Sequence, residues 1–428
     1  MNSLPSARPR WPVLAGTALV SSAAAVLITR NFFETEKKIR KLIHTDYAVG
    51  DPAFTRTVSQ LLGPALIGGN KVTILQNGDE IFPAMLAGIR SAKRTITFEN
   101  FVFAEGSVVD QFAAAMAERA RAGVRVHFLQ DAFGSNCLHG RAMRLLKRSG
   151  VEVEIFRFLH LSRINYRTHR KLLTIDGRLG FIGGVAICDA WLGNGVTAGR
   201  WRDTHYQLEG PAVAQMQQAF TDNWMQTRAA VLHGDAYFPE LSAVGDDTCQ
   251  VFKSSASEGS DSARVMYLIS IAAARQTIRI ANAYFIPDDL CVRAIIEARR
   301  RGVNVEVITT GPDIDQRLVR MVGRSRWGPM LEAGVRFYEY QPARFHCKYM
   351  IVDDCWVSVG STNFDNRSLR VNEEANLNVL DGDFAPAHTR IFEEDKARSK
   401  EITLADWRRR PVSEKILGHT ASLLRAQM

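Results

Sequence analysis

Residues 166–184 read "YRTHRKLLTIDGRLGFIGG" and residues 344–363 read "RFHCKYMIVDDCWVSVGSTN". Each stretch holds a histidine, a lysine two positions on and an aspartate five further along: His169, Lys171 and Asp176, then His346, Lys348 and Asp353. In extended chain alternate side chains share a face, so each histidine points the same way as its lysine. The apolar residues that follow (Leu172, Leu173 and Ile175; Met350, Ile351 and Val352) predict a strand anchored in a core. A second strand after each ends in "IGG" or "VGS". The small residues Gly183, Gly184 and Gly360 are expected there to let backbone N–H groups approach a ligand, with Ser361 and Asn363 adding donors.

The two motifs belong to a longer repetition. "SAKRTITFENFVF" (91–103) matches "AARQTIRIANAYF" (273–285), and "RARAGVRVHFLQD" (119–131) matches "ARRRGVNVEVITT" (298–310). "LLKRSGVEVEIF" (145–156) matches "MLEAGVRFYEY" (330–340). Counted from residue 91 to 273, 119 to 298, Gly150 to Gly334 and His169 to His346, the offsets are 182, 179, 184 and 177. Four landmarks in one order at a near-constant offset mean a duplicated unit. Helical runs such as "VVDQFAAAMAERARAG" alternate with β-branched runs such as "VRVHFL", so each half is predicted to be a mixed sheet flanked by helices. The polar, serine-rich "DTCQVFKSSASEGSDSA" places the boundary near 236–260, giving halves over 67–240 and 241–403.

A single motif is more often a satisfied histidine beside a surface lysine; two in register in a duplicated unit are not. Two imidazoles and two ammonium groups suit an anionic phosphodiester with a poor leaving group. One neutral imidazole attacks phosphorus, giving a phosphohistidine, and the other, protonated, supplies the leaving group's proton. The lysines neutralise the non-bridging oxygens. Such a site requires no metal and no cofactor, and a duplicated fold brings one set of residues from each half to a shared interface. Each imidazole also needs an acid to fix its tautomer. Asp203 in "GRWRDTHYQLEG" and Glu374 in "RVNEEANLNVLD", 34 and 28 residues after the two histidines, are the candidates.

Of 428 residues, 46% are hydrophobic and 23% charged, an ordinary globular composition, and the formal net charge of +9 favours anionic partners. The six cysteines show no zinc spacing and are expected to be reduced, mostly buried thiols. Residues 11–29, "WPVLAGTALVSSAAAVLIT", are uncharged and long enough to cross a bilayer as a helix. Arg30, Lys37, Lys38, Arg40 and Lys41 follow, outnumbering Arg8 and Arg10 before it, so the body is expected on the cytoplasmic side of an uncleaved single-pass anchor over 1–30. Residues 31–66 form a basic juxtamembrane segment, of which 31–44 read as a short amphipathic helix. Two further basic stretches, "DQRLVRMVGRSRWGPML" (315–331) and the tail over 404–428, are candidates for contact with anionic headgroups.

The paired H-x-K-x4-D motifs resemble the signature of the phospholipase D superfamily. Other phrases, among them "NGDEIFPAMLAGIRSA" (77–92), "WRDTHYQLEGPAV" (201–213) and "VGSTNFDNRS" (359–368), are similar to bacterial cardiolipin synthases, over roughly residues 70–410. The resemblance implies a duplicated phospholipase D-like α/β fold: two mixed sheets flanked by helices, one active site at their interface and an N-terminal transmembrane helix. It implies transfer of a phosphatidyl group between two phosphatidylglycerol molecules, giving cardiolipin and glycerol at a bacterial inner membrane. His169 would be the nucleophile and His346 the acid/base. Lys171, Lys348 and Asn363 would bind phosphate, Asp203 and Glu374 would orient the histidines, and Asp176 and Asp353 would support strand geometry. A hydrolase or nuclease of the same superfamily is the alternative, although the anchor speaks against nucleic acid as partner. The chain departs from the pattern at Ala186 in "GGVAICDAW", where the family commonly has asparagine, and in showing one N-terminal span where two are common.

Overall fold

Four helices of the repeat stop in the same way. Gly123, Gly150, Gly302 and Gly334 have φ of 89°, 86°, 92° and 88°, a left-handed conformation that only glycine adopts without strain. The valine after each bonds back five residues, as Val124 N–H does to Arg119 O at 3.0 Å and Val303 N–H to Ala298 O at 3.0 Å. Val124, Val151, Val303 and Val335 are all buried, so each "GV" ends a helix and seats the following strand in the core. The computed structural model describes residues 16, 17, 19–22, 24–26, 39–134, 140–156, 166–255 and 262–421.

The first half contributes β1 (Ile67–Gln76), β2 (Thr95–Asn100), β3 (Arg125–Asp131), β4 (Glu152–Phe156), β5 (Leu172–Ile175), β6 (Leu179–Gly183), β7 (Trp201–Arg202) and β8 (Thr204–Glu209). The second contributes β9 (Asp247–Ser254), β10 (Thr277–Asn282), β11 (Asn304–Thr310), β12 (Arg336–Tyr340), β13 (Arg344–Phe345), β14 (Lys348–Val352), β15 (Trp356–Gly360), β16 (Glu374–Leu380) and β17 (Ser399–Ile402). The strands β2-β3-β4 and β10-β11-β12 pair in parallel and most others antiparallel, so each half is mixed as expected. The halves are not separate sheets. β1 pairs with β9, and the order β17-β12-β11-β10-β14-β15-β16-β9-β1-β8-β6-β5-β2-β3-β4 makes one 15-stranded sheet. The first eight residues of the polar stretch read as a boundary are β9, a central strand of that sheet.

Helices cover the faces through apolar stripes. Val108, Phe112 and Met116 of Ser107–Arg121 recur every fourth residue and are buried, with Phe112 stacked on Phe98 at 6.1 Å. A third cluster spans the junction: Leu172, Ile182, Tyr206 and Leu208 pack with Val251, Tyr349, Ile351 and Leu377. This shared core holds the two copies in fixed register.

Several membrane-related expectations meet the structure. The described residues between 16 and 26 are helical and exposed, and the rest of the 11–29 stretch lies outside the described residues. No helix among the described residues is long and apolar enough to cross a membrane. Residues 31–38 also lie outside them, and 39–44 are not helical, because Ile39, Leu42 and Ile43 pack individually on the second half's core. The basic helix Arg317–Ser325 is not an unpaired cationic face. Arg320 and Arg324 both bond Glu339 of β12, at 2.7 and 3.0 Å, and Trp327 is buried, stacked on Phe337 at 4.5 Å. In the tail, Trp407 and Arg410 donate to Arg324 O at 2.6 and 2.7 Å, which docks the basic cluster onto that helix; Leu423 and Leu424 lie outside the described residues. Five cysteines, Cys188, Cys249, Cys291, Cys347 and Cys355, are free thiols, and Cys137 is outside the described residues.

Candidate active site

The chain just before each lysine pairs with the opposite half. Thr168 bridges Glu373, with His169 N–H donating to Glu373 O and Glu373 N–H to Arg167 O, both at 2.8 Å. In the second half β13 lies parallel to β7, and His346 N–H donates to Arg202 O at 2.8 Å. The side chains follow this exchange. His169 Nδ1 lies 3.0 Å from both oxygens of Glu374, and His346 Nδ1 lies 2.8 Å from Asp203 Oδ2. Each acid therefore holds the histidine of the other half, not the one it follows in sequence. Neither half carries a complete histidine–acid pair, so the geometry exists only at the junction.

Burial governs the charges. His169 and His346 are 9% and 7% exposed, and Asp203 and Glu374 are fully buried. Burial lowers the pKa of both imidazoles, to about 4 for His169; the acids pull back up, while Lys348 adds to the lowering at both rings. Burial would raise the carboxylates, but the imidazoles and lysines beside them outweigh it and hold both below the usual range. At neutral pH the rings are uncharged and the acids ionised. Each Nδ1–H then donates to its carboxylate, which leaves the Nε2 lone pair as the reactive position. Lys171 and Lys348 each donate to the carbonyl of their own histidine at 2.7 Å. Burial, against the pull of Glu374 and with help from the charge of Lys348 in the other half, brings Lys171 down to about 7.

The glycine pairs serve a purpose different from the expected close approach to a ligand. A Cβ on Gly184 would stand 2.5 Å from Asp203 Oδ1, one on Gly183 2.4 Å from His205 Nδ1, and one on Gly360 2.4 Å from Ala375 O. They make room for the orienting acid and its strand. The halves then fix their acids by different donors. Ser361, at the position matching Gly184, donates to Glu374 Oε2 at 2.5 Å, so its hydroxyl supports the acid instead of facing outward. In the first half the indole Nε1–H of Trp191 donates to Asp203 Oδ2 at 2.9 Å, and Thr204 N–H to Oδ1 at 2.9 Å. Asn363 is buried, and its Oδ1 is without a hydrogen-bond partner among the described residues; the amide Nδ2–H, not this oxygen, is the group able to donate to a phosphoryl oxygen. Ala186, its counterpart, is packed in the first half's core.

Asp176 and Asp353 stand apart from this centre. Both adopt left-handed backbone, φ 53° and 50°. Asp176 accepts the backbone N–H groups of Lys93, Arg94 and Thr95 at 2.9, 2.7 and 2.8 Å, and Asp353 those of Arg275, Gln276 and Thr277 at 2.8, 2.7 and 2.8 Å. Each clamps the start of β2 or β10 to the turn after the histidine strand. Their oxygens are occupied by backbone N–H groups.

Aromatic rings wall the site, and sequence patterning did not single them out. Trp191 and Trp201 stack at 5.0 Å, and each meets His346 edge-on, at 5.2 and 5.1 Å. Phe101 meets His169 edge-on at 5.2 Å. The only signal in the sequence was their position beside the motifs: Trp191 follows the first glycine pair and Trp201 precedes Asp203.

A duplicated α/β fold with a histidine, lysine and acid from each half at one junction defines a phospholipase D-like protein. The chain belongs to the family described as "Cardiolipin synthase, PLD-like domain", whose model matches residues 85–192 and 267–396. It is 31% identical over 354 residues to cardiolipin synthase A of Pseudomonas fluorescens, covering 82% of this chain and 73% of that one. It is 34% identical over 356 residues to cardiolipin synthase 2 of Bacillus cereus, covering 82% and 69%. Among solved structures, the phosphatidylserine synthase of Haemophilus influenzae superposes with a TM-score of 0.67 at 14% identity, over 87% of this chain and 98% of that one, a likeness of fold.

Proposed function

We propose that this chain is a cardiolipin-forming phosphatidyltransferase working through a phosphohistidine. The crossed pairing of His169 with Glu374 and of His346 with Asp203 carries the proposal, because it sets two reactive Nε2 positions and two lysines around one junction. His169 Nε2 attacks the phosphorus of one phosphatidylglycerol; the N–P bond forms, the P–O bond to glycerol breaks, and His346 gives its proton to the departing oxygen. The anionic phosphodiester between the rings raises the imidazole pKa values that burial lowers, so His346 can carry that proton. The primary hydroxyl of a second phosphatidylglycerol then loses its proton to His346 and attacks phosphorus, and the N–P bond breaks. Lys171, Lys348 and Asn363 neutralise or bind the phosphoryl oxygens. The boundary between the halves falls at 240/241, and the uncharged stretch 11–29 with its basic flank supports a single-pass anchor with the body on the cytoplasmic face of the inner membrane.

Incubation of the full chain with phosphatidylglycerol vesicles, read by lipid mass spectrometry, should give cardiolipin and glycerol. Phosphatidic acid as the sole product would make it a hydrolase. Replacement of His169 or His346 by Ala should abolish turnover, and activity in both variants would remove the site.

A further inference from the structure

Each orienting acid is held in two places, by the donors on its carboxylate and by a buried arginine on its main chain. Arg170 lies between His169 and Lys171, and its side chain turns away from theirs, into the protein. It is fully buried. Its Nε–H donates across the junction to the carbonyl of Glu374 at 3.3 Å, and its Nη groups donate to Glu373 Oε2 at 3.0 Å and to Ala219 O at 2.7 Å. In the other arm of the junction Arg202, also buried, donates to the carbonyl of Asp203 at 3.0 Å. Both oxygens of Asp395, in helix Phe384–Ala397, hold its guanidinium at 2.9 and 3.0 Å. Gln76 and Asn77 accept two further N–H groups at 2.9 and 3.2 Å.

The duplication does not account for this likeness. At the positions matching Arg170 and Arg202 the second half has Cys347 and Glu373. One arginine comes from the histidine's segment and reaches over to the acid, and the other comes from the acid's own strand. Two unlike routes to one contact point to a demand of the site rather than of the repeat. A carbonyl and its side chain share one Cα, so pinning the carbonyl of Glu374 or Asp203 limits how far the carboxylate can swing. The carboxylate in turn sets the ring of His169 at 3.0 Å or of His346 at 2.8 Å. Buried ion pairs such as Arg170–Glu373 and Arg202–Asp395 add little stability over apolar residues of the same volume, and what they fix is position.

We propose that Arg170 and Arg202 are positioning residues for different steps: Arg170, through Glu374, for attack by His169, and Arg202, through Asp203, for proton delivery by His346. This rests on the proposed transfer reaction. The leaving group separates the two steps. Glycerol departing from phosphatidylglycerol needs the His346 proton. With a phosphatidyl ester of para-nitrophenol the N–P bond forms, the P–O bond breaks, and nitrophenolate leaves as a stable anion without a proton. The full chain is assayed in vesicles of each donor as wild type, Arg170→Lys and Arg202→Lys. Lysine keeps a charge beside the buried carboxylate and loses the fork that also reaches the carbonyl. Both variants should lower kcat for cardiolipin about tenfold or more, the effect of one lost charge-assisted bond. Arg170→Lys should slow the first-turnover burst of nitrophenolate to the same degree, whereas Arg202→Lys should leave it within about twofold of wild type. A burst slowed as much in Arg202→Lys as in Arg170→Lys, or kcat within about twofold of wild type in either variant, overturns the proposal. So does loss of the folded circular dichroism spectrum in the Lys variants, which would make the arginines structural. Wild-type protein that gives the burst but no cardiolipin refutes the transfer and leaves both roles standing; wild-type protein that gives neither refutes the phosphohistidine and the proposal with it.

Discussion

Trp191→Phe isolates one hydrogen bond. The indole Nε1–H donates to Asp203 Oδ2 at 2.9 Å, and Asp203 is fully buried, so no solvent replaces the lost donor. Phenylalanine keeps a ring against Trp201 and the edge of His346, which leaves the wall in place. A hydrogen bond to a buried charged group is worth about 1.5–3 kcal/mol. That converts to a fall in kcat of roughly ten- to a hundredfold if Asp203 no longer holds the His346 ring as charge develops on it. The sign of the pH effect is fixed as well. Burial raises the Asp203 pKa, and His346, Lys348 and the indole hold it down. Removing one of these opposing groups lifts it, so the acidic limb of the kcat profile should move to higher pH. The assay is cardiolipin formation against pH, with circular dichroism confirming the fold. A variant with kcat within about twofold of wild type and an unmoved limb would refute the assignment of Trp191 as a positioning residue.

Other outcomes follow from the same geometry. Glu374→Gln should lower turnover about a hundredfold or more, because an amide can favour the wrong tautomer of His169; trapping of labelled phosphohistidine should fall with it. Asp176→Ala should destabilise the fold by about 1–3 kcal/mol through loss of its three backbone contacts, measured as a lower urea midpoint, while kcat per folded molecule stays near wild type. Lys171, at about 7, is charged below that pH and neutral above it, so KM for phosphatidylglycerol should rise as pH increases through 7. A flat KM between pH 6 and 8, on the order of one unit either side, would contradict this.

What sequence could show was what local pattern determines. The alternation of His169 with Lys171 and the repeated "GV" stops are local, and they located both halves and both motifs. Asp203 and Glu374 were visible as candidates, but their exchange between halves depends on β7 meeting β13 and Thr168 meeting Glu373, contacts some 140 to 205 residues apart in the chain. The same blindness to distant pairing hid Glu339 from Arg320 and Arg324 and made a packed helix look like a cationic face. It also split one sheet in two, since nothing near β1 announces β9 as its neighbour. Glycines next to a motif suggested a ligand, whereas Gly184 is small because Asp203 fills the space.

The claim that both halves build a single phosphate site is tested most directly by a crystal structure of the full chain with a phosphate-like oxyanion such as tungstate. One anion per chain, in contact with Nε2 of both His169 and His346 and with both lysines, is the expected result. Two anions, each on one histidine and apart from the other, would contradict it.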